Sequence, residues 1–261
     1  MSRSLRALPT LVVAASLLPL ATLTTAEQSA PAADGAAVHW TYEGAEGPEH
    51  WGEIGQDFGL CATGHEQSPI NLAATIPAEA DPVEFAWNRT AAWSVVNNGH
   101  TLQANTTDGG SITVAGTRYD LLQFHFHHPS EHALDHEILP MEVHFVHRAE
   151  SGALAVVGVM IEEGGQIDLL DAVVQVAPSP LRLDGVGIGA ADPSQFLPED
   201  DAFYRYQGSL TTPPCSETVL WTVMQQPVRV DAATIAAFAE LFHNNARPVQ
   251  ERYRRFVLSS N

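Results

Sequence analysis

Lysine is absent from these 261 residues, and all twelve basic side chains are arginines scattered from Arg3 to Arg255. Against them stand 31 aspartates and glutamates, for a formal net charge of −19 at neutral pH. A phosphate-binding surface needs clustered positive charge, so the balance excludes a nucleic-acid partner, and anionic membranes repel the chain. Long apolar runs are scarce too. The one candidate, 8–23, is short for a membrane span and is interrupted by Pro9, Thr10 and Pro19. No His-Glu-x-x-His stretch occurs, which removes the helix-borne site of the common zinc peptidases. There is no internal repeat and no long polar linker. With 45% apolar residues, 19 glycines and 17 prolines, the composition is that of a globular chain rich in turns.

What is present begins with processing signals. Arg3 and Arg6 precede the apolar run, and Thr24-Thr25-Ala26 supplies small residues for cleavage, so 1–26 reads as a secretory signal peptide. The competing reading is an uncleaved anchor. No cysteine follows the run, so nothing points to a lipid anchor, and after cleavage no stable membrane anchor is expected. Residues 27–38 read as a flexible leader, and the destination as periplasmic or secreted. In an oxidising compartment the two cysteines, Cys61 and Cys215, are read as one long-range disulfide, with two buried free thiols as the alternative. The acid excess without lysine fits a surface adapted to high salt.

Segments 83–87, 93–97, 101–104, 111–114, 121–127, 142–147, 153–161 and 219–225 alternate or are rich in β-branched and aromatic residues, which predicts strands. Asn98-Gly99 is a signal for a tight two-residue hairpin, with His100 beside the turn. Only two stretches have helical periodicity. Asp231 can cap a helix that places Ile235, Phe238, Leu241 and Phe242 on one face, and 166–176 carries a weaker pattern. Gly185-Val186-Gly187-Ile188-Gly189 neither follows a clear strand nor opens a helix, so it reads as a loop rather than a phosphate-binding turn. The expected fold is mainly β: a single domain around a large, mostly antiparallel twisted sheet with short peripheral helices.

The informative segments are Gln123-Phe124-His125-Phe126-His127 and Glu142-Val143-His144-Phe145-Val146. Side chains alternate faces on a strand, so Gln123, His125 and His127 project together while Phe124 and Phe126 point into the opposite layer. Glu142, His144 and Val146 share a face on the second strand. If the strands are neighbours, three imidazoles converge, and three neutral histidines leave the fourth position of a catalytic zinc open to water. Gln123 and Glu142 are placed to accept the second ring N–H and fix each tautomer. Taken alone, His-x-His is more often a surface pair than a metal site. The other histidines, namely His39, His50, His65, His128, His132, His136, His147 and His243, do not join this face and are read as structural or exposed.

Further pieces follow one another along the chain: Trp40-Thr41-Tyr42, Gly47-Pro48-Glu49-His50-Trp51-Gly52, Gln67-Ser68-Pro69-Ile70-Asn71, Asn97-Asn98-Gly99-His100, Ser130-Glu131-His132, Ser209-Leu210-Thr211-Thr212-Pro213-Pro214 and Asn245-Ala246-Arg247-Pro248. With the two histidine strands, their order and joint presence make the chain resemble the exported bacterial α-class carbonic anhydrases, from residue 40 to about 258. The resemblance implies a catalytic domain over 39–261 that interconverts CO2 and bicarbonate, with Zn2+ held by His125, His127 and His144 and a zinc hydroxide as nucleophile. It implies that Gln123, Glu142 and the Asn245 carbonyl orient those three ligands. It further implies that Thr211, its proton committed to Glu131, turns the nucleophile toward CO2 in a pocket of Val146, Val156, Leu210, Val219, Trp221 and Thr212. His100 falls at the proton-shuttle position, with Tyr42, Asn98 and Gln103 lining its path, and Cys61 and Cys215 match the disulfide of exported members. The implied partner is the small-molecule substrate alone, on a monomer or homodimer. The rival reading is a catalytically silent carbonic-anhydrase-like binding module, which arises where a ligand histidine is lost.

Overall fold

The computed structural model describes residues 38–177 and 182–260. The segment read as a signal peptide, 1–26, and all but the last residue of the stretch read as a leader, 27–38, lie outside the described residues.

Ten strands carry the architecture: β1 (Glu84–Trp87), β2 (Ala92–Asn97), β3 (Leu102–Asn105), β4 (Gly110–Val114), β5 (Thr117–His127), β6 (Met141–Arg148), β7 (Leu154–Glu163), β8 (Arg182–Ala190), β9 (Phe203–Gly208) and β10 (Val219–Met224). In the large sheet they run β8-β2-β3-β5-β6-β7-β10-β9, continued by the short strands Leu258–Ser259 and Ile76–Pro77, while β1 and β4 extend from β5 as a side ladder. Neighbours from β8 to β7 are antiparallel; β7 and β10 pair in parallel, as does β7 with Val228–Val230. The sheet is therefore mixed but mainly antiparallel. Alternation explains the outer strands: β2 buries Trp93, Val95 and Asn97 and turns Ala92 to solvent. The central strands β6 and β7 have neighbours and packing on both faces, and seven consecutive residues of β7, Ala155 through Ile161, are buried.

One face of the sheet, with Phe124, Phe126, Val143, Phe145, Val157 and Val159, packs into the larger apolar core. The other carries the histidines and a smaller cluster of Val156, Tyr206, Val219, Trp221 and Val223. Two helices cover the larger core. The helix α1 (Asp168–Gln175) buries Leu169, Leu170 and Val173, and α2 (Ala232–Leu241) buries Ile235 and Phe238, with Asp231 accepting the Ala233 N–H as its cap.

Two local expectations are corrected. Gly185-Val186-Gly187-Ile188-Gly189 is not a loop: it lies inside β8, paired to β2 with two register shifts. Glycine is a poor strand former by itself, but the ladder requires only backbone groups, and β2 offers an open edge. Asn98-Gly99 is not a two-residue turn either. Asn97 pairs with Leu102, leaving a four-residue connection in which Gly99 alone has a positive φ, and Asn98 Oδ1 accepts the backbone N–H of both His100 and Thr101. The side chain of Asn98 thus closes the turn that a left-handed backbone was expected to close.

Cys61 and Cys215 form a disulfide, S–S 2.07 Å, across 154 residues. Replacing both with serine is expected to lower the unfolding free energy by about 2–4 kcal/mol, read as a drop in the urea midpoint, with a slope that rises if the unfolded chain expands; an unchanged midpoint would mean that the crosslink holds nothing the packing does not hold already.

Candidate metal centre

The pairing of β5 with β6 sets His125 opposite His144 and His127 opposite Glu142. Directly opposed residues point to the same side of a sheet, so the three imidazoles share one face. Gln103 of β3 pairs with His125, Val156 of β7 with Val146, and Trp221 of β10 with Val156. Two neighbouring rows of register therefore build the site: Gln103, His125, His144 and Gly158 form one, and Gln123, Val146, Val156 and Trp221 form the other, which sets the polar flank beside the apolar wall. Nitrogens of His125, His127 and His144 lie within 4.8 Å of one another.

Each ring has its other nitrogen committed. Nδ1 of His125 donates to Gln123 Oε1 at 2.8 Å, Nδ1 of His127 to the Asn245 carbonyl at 2.8 Å, and Nε2 of His144 to Glu142 Oε1 at 2.8 Å. A neutral imidazole carries one N–H, so these bonds leave Nε2, Nε2 and Nδ1 with bare lone pairs. Burial, aided by the neighbouring imidazoles, holds the His125 pKa well below its usual value; burial brings His127 down to about 4 and lowers His144. All three are neutral at pH 7, as metal ligation requires. His127 Nε2 and Glu131 Oε2 are buried with no hydrogen-bond partner among the described residues. Orphaned buried polar atoms are rare; besides one guanidinium nitrogen each on Arg205 and Arg247, these two are the ones among the described residues, and they face each other across 3.4 Å at the convergence of the imidazoles. The residues fit a tetrahedral zinc.

Glu131 is fully buried between this cluster and the C-terminal segment. Its Oε1 accepts the Arg247 N–H at 2.9 Å, its Oε2 stands 3.4 Å from His127 Nε2, and the Thr211 hydroxyl lies near enough to favour the ionised carboxylate. Burial pushes its pKa up to about 7 against the pull of His144, Thr211 and the Arg247 N–H; a dication beside Oε2 would bring it down again. For Glu142 burial acts in the same upward direction, but the facing His132 and His144 outweigh it and hold the carboxyl well below the usual range.

A cavity of about 170 Å³ opens above the histidines, lined by Gln103, Gln123, Asn98, His100 and Tyr42 on one side and by Val146, Val156, Leu210, Thr211, Thr212 and Trp221 on the other. Val219 lies fully buried behind Trp221 rather than on the cavity wall. Larger concavities elsewhere share no residue with the three imidazoles, and convergence of titratable groups, not volume, marks this one. His100 stands half-buried at the mouth, stacked on Trp40 with ring centroids 3.6 Å apart, and its pKa is lowered by burial and then by His39.

Several participants escaped the sequence reading. Trp40 and Thr101 line the cavity. The Asn245 side chain, not only its carbonyl, knits the site: Nδ2 donates to the His100 and Phe126 carbonyls and Oδ1 accepts the His128 N–H. His132, grouped with the structural or exposed histidines, is fully buried and donates from Nδ1 to Glu142 Oε1 at 2.8 Å. A strand pattern could not reveal it, because it follows β5 in a connection.

A twisted sheet presenting three neutral imidazoles, each oriented by an acceptor, beside a buried carboxylate and hydroxyl is an arrangement able to hold a metal ion, as a metal-dependent enzyme would. Comparison with known proteins gives the family. The family model described as eukaryotic-type carbonic anhydrase matches residues 46–261. A carbonic anhydrase of Nostoc sp. is 42% identical over 231 residues, covering 85% of this chain and 86% of that protein, and one of Klebsiella pneumoniae is 39% identical over 225 residues, covering 85% and 91%. The α-carbonic anhydrase of Thermovibrio ammonificans, solved with the inhibitor sulfanilamide, superposes with a TM-score of 0.81 at 39% identity, covering 85% of this chain and all of that one. The chain belongs to the α-class carbonic anhydrases, enzymes of CO2 hydration that are in general zinc-dependent.

On the opposite face of β6, His147 accepts the Trp87 indole N–H at 2.9 Å, and burial brings its pKa down to about 3. Between the usual 6.5 and 3 the unfolded chain binds a proton that the folded chain refuses, so stability falls as pH drops through that window. His147→Gln is expected to flatten the loss by one proton's worth of slope in urea midpoints measured from pH 7 to pH 4; an unaltered slope would remove His147 from the acid response.

Proposed function

We propose that this chain hydrates CO2 reversibly at a zinc ion held by His125, His127 and His144, with Thr211 and Glu131 directing the nucleophile and His100 passing the released proton to buffer. The observation that carries this reading is the set of three neutral imidazoles with bare nitrogens converging beside the unpartnered Glu131 Oε2. Bound there, zinc supplies the Lewis acidity that lets a water ionise near neutral pH, an effect for which this family is itself the standard instance. The rest falls to the chain's own groups.

Gln123, the Asn245 carbonyl and Glu142 hold the three rings in the ligating tautomer. Thr211, its proton given to Glu131, has only lone pairs to offer and so accepts a hydrogen bond from the attacking water-derived group, which aims the reactive lone pair toward the apolar wall. That wall, Val146, Val156, Leu210 and Trp221, suits CO2, which has no net dipole. Thr212 stands at its edge. His100, an imidazole whose pKa burial lowers from its usual value, sits where cavity and solvent meet and can hand a proton to buffer. Tyr42, Asn98 and Gln103 line the intervening space.

Export by the leading signal peptide, to the periplasm or beyond, accords with the Cys61–Cys215 disulfide. Among the described residues no helix is long and apolar enough to cross a membrane. A silent binding module is disfavoured because the ligand histidines, Thr211 and Glu131 are all in place.

Stopped-flow CO2 hydration tests the reading. Activity is expected to vanish on zinc removal and to return on adding one equivalent. His100→Ala is expected to slow turnover in weak buffer by a factor on the order of 100, the low end of what a positioned acid–base group contributes, and small imidazole buffers should restore it. A folded protein that holds one zinc and hydrates nothing would leave the binding module as the reading.

A further inference from the structure

Beneath the metal-facing strands runs a buried line of polar groups that the reaction described above does not use. The Ser209 N–H donates to Ser68 Oγ at 3.1 Å, Ser68 Oγ lies 2.9 Å from Tyr206 Oη, and Tyr206 Oη lies 2.6 Å from His132 Nε2. His132 Nδ1 then reaches Glu142 Oε1, the oxygen that also receives the Nε2–H of His144. Ser68, Ser209, His132 and Glu142 are fully buried and Tyr206 is 3% exposed.

The direction of every proton in this line follows from its two ends. Glu142 Oε2 accepts the backbone N–H groups of Glu131 and His132, each at 2.9 Å, and a backbone amide cannot reverse its role. With two backbone N–H groups on Oε2 and two ring nitrogens on Oε1, each at 2.8 Å, Glu142 acts as an acceptor on every side. His132 therefore carries its proton on Nδ1, which leaves Nε2 in need of a donor, and Tyr206 provides it. The phenol oxygen in turn takes the Ser68 proton, and Ser68 takes the Ser209 N–H. The backbone leaves room for this: a Cβ on Gly208 would sit 2.2 Å from Ser68 Oγ. His132, Glu142 and His144 also lie close enough to suggest a second metal cluster, but both oxygens of Glu142 and the Nε2 of His144 are committed to these hydrogen bonds, so the group is a junction rather than a site.

We propose that Tyr206 and His132 are positioning residues for the zinc centre, with Ser68 orienting the Tyr206 hydroxyl. The phenol O–H locks His132 in the Nδ1–H tautomer; His132 keeps Glu142 anchored as a pure acceptor; and Glu142 holds the His144 proton on Nε2, so that Nδ1 stays bare for the metal. Without the phenol, His132 is free to carry its proton on Nε2 and turn a lone pair against the carboxylate, loosening the group that orients His144. The inference rests on the zinc reading given above, but its first test does not use zinc affinity.

Imidazole nitrogen NMR of the protein, recorded with and without added zinc, is expected to find His132 protonated at Nδ1 alone in both; protonation at Nε2 in the wild-type protein overturns the proposal, whatever any variant does. Tyr206→Phe keeps the ring that stacks on Trp221 and removes only the hydroxyl. It is expected to bind zinc about 10-fold more weakly in competition with a chelator, at the low end of losses for outer partners of a metal ligand. In a His132→Asn background, whose amide donates to Glu142 with no tautomer to choose, the same change should cost little. An equal loss in both backgrounds, or none in the first, reduces Tyr206 to packing and overturns the proposal. A wild-type protein that binds no zinc sinks the zinc reading instead, which the unchanged tautomer measurement keeps distinct.

Discussion

A neutral imidazole has one N–H and one lone pair, and when it is buried both must be accounted for. Three such rings are packed here against the middle of a sheet, open only toward the cavity above them. Each lone pair is aimed inward only because the matching N–H is held by an acceptor behind the ring. The three acceptors have different origins: an amide oxygen on the same strand, a carboxylate on the same strand, and a backbone carbonyl from the far end of the chain. Much of the surrounding architecture serves to hold those three oxygens still.

The carboxylate is the most demanding of them. Glu142 is buried with no arginine paired to it among the described residues, and four donors satisfy it: two rings and two backbone amides. An ionised group so deep in a fold is tolerated only when its oxygens are fully bonded. Glu131 differs in kind, with one oxygen bonded and the other left without a partner. The contrast separates their roles. A fully satisfied carboxylate is fixed as a brace, and a half-satisfied one is available to the chemistry beside it.

The backbone acceptor ties the C-terminal segment into the site. Asn245 lies 118 residues from His127, and its side chain binds the backbone at His100, Phe126 and His128. Two residues on, the buried Arg247 guanidinium donates to Gln67, to the Ser68 carbonyl and to the Cys61 carbonyl. Cys61 is crosslinked to Cys215, and the Cys215 N–H donates to the Thr212 carbonyl. The loop bearing Thr211, the carboxylate of Glu131 and the disulfide thus brace one another, so that a group needing sub-ångström placement does not depend on a free loop.

Alternation in 121–127 and 142–147 was enough to put Gln123, His125 and His127 on one face and Glu142 and His144 on another, because the period of a strand is a property of the backbone and needs no partner. Family motifs pointed to Thr211, Glu131, His100 and Asn245. What neither could supply was the pairing itself: that His125 stands opposite His144, that Val146 stands opposite Val156 and Val156 opposite Trp221, or that His132, in a connection with no period, turns inward to share Glu142. Nor could local pattern make a strand of Gly185-Val186-Gly187-Ile188-Gly189 or replace the expected turn at Asn98-Gly99 with one closed by the Asn98 side chain. The sequence by itself determined which residues face together along each strand and which chemistry those residue types can perform. Only the tertiary structure decided which strands adjoin, which protons point where and which polar atoms are left without partners, because these depend on contacts between separate segments, some close along the chain and some more than a hundred residues apart, and on burial that no single segment possesses.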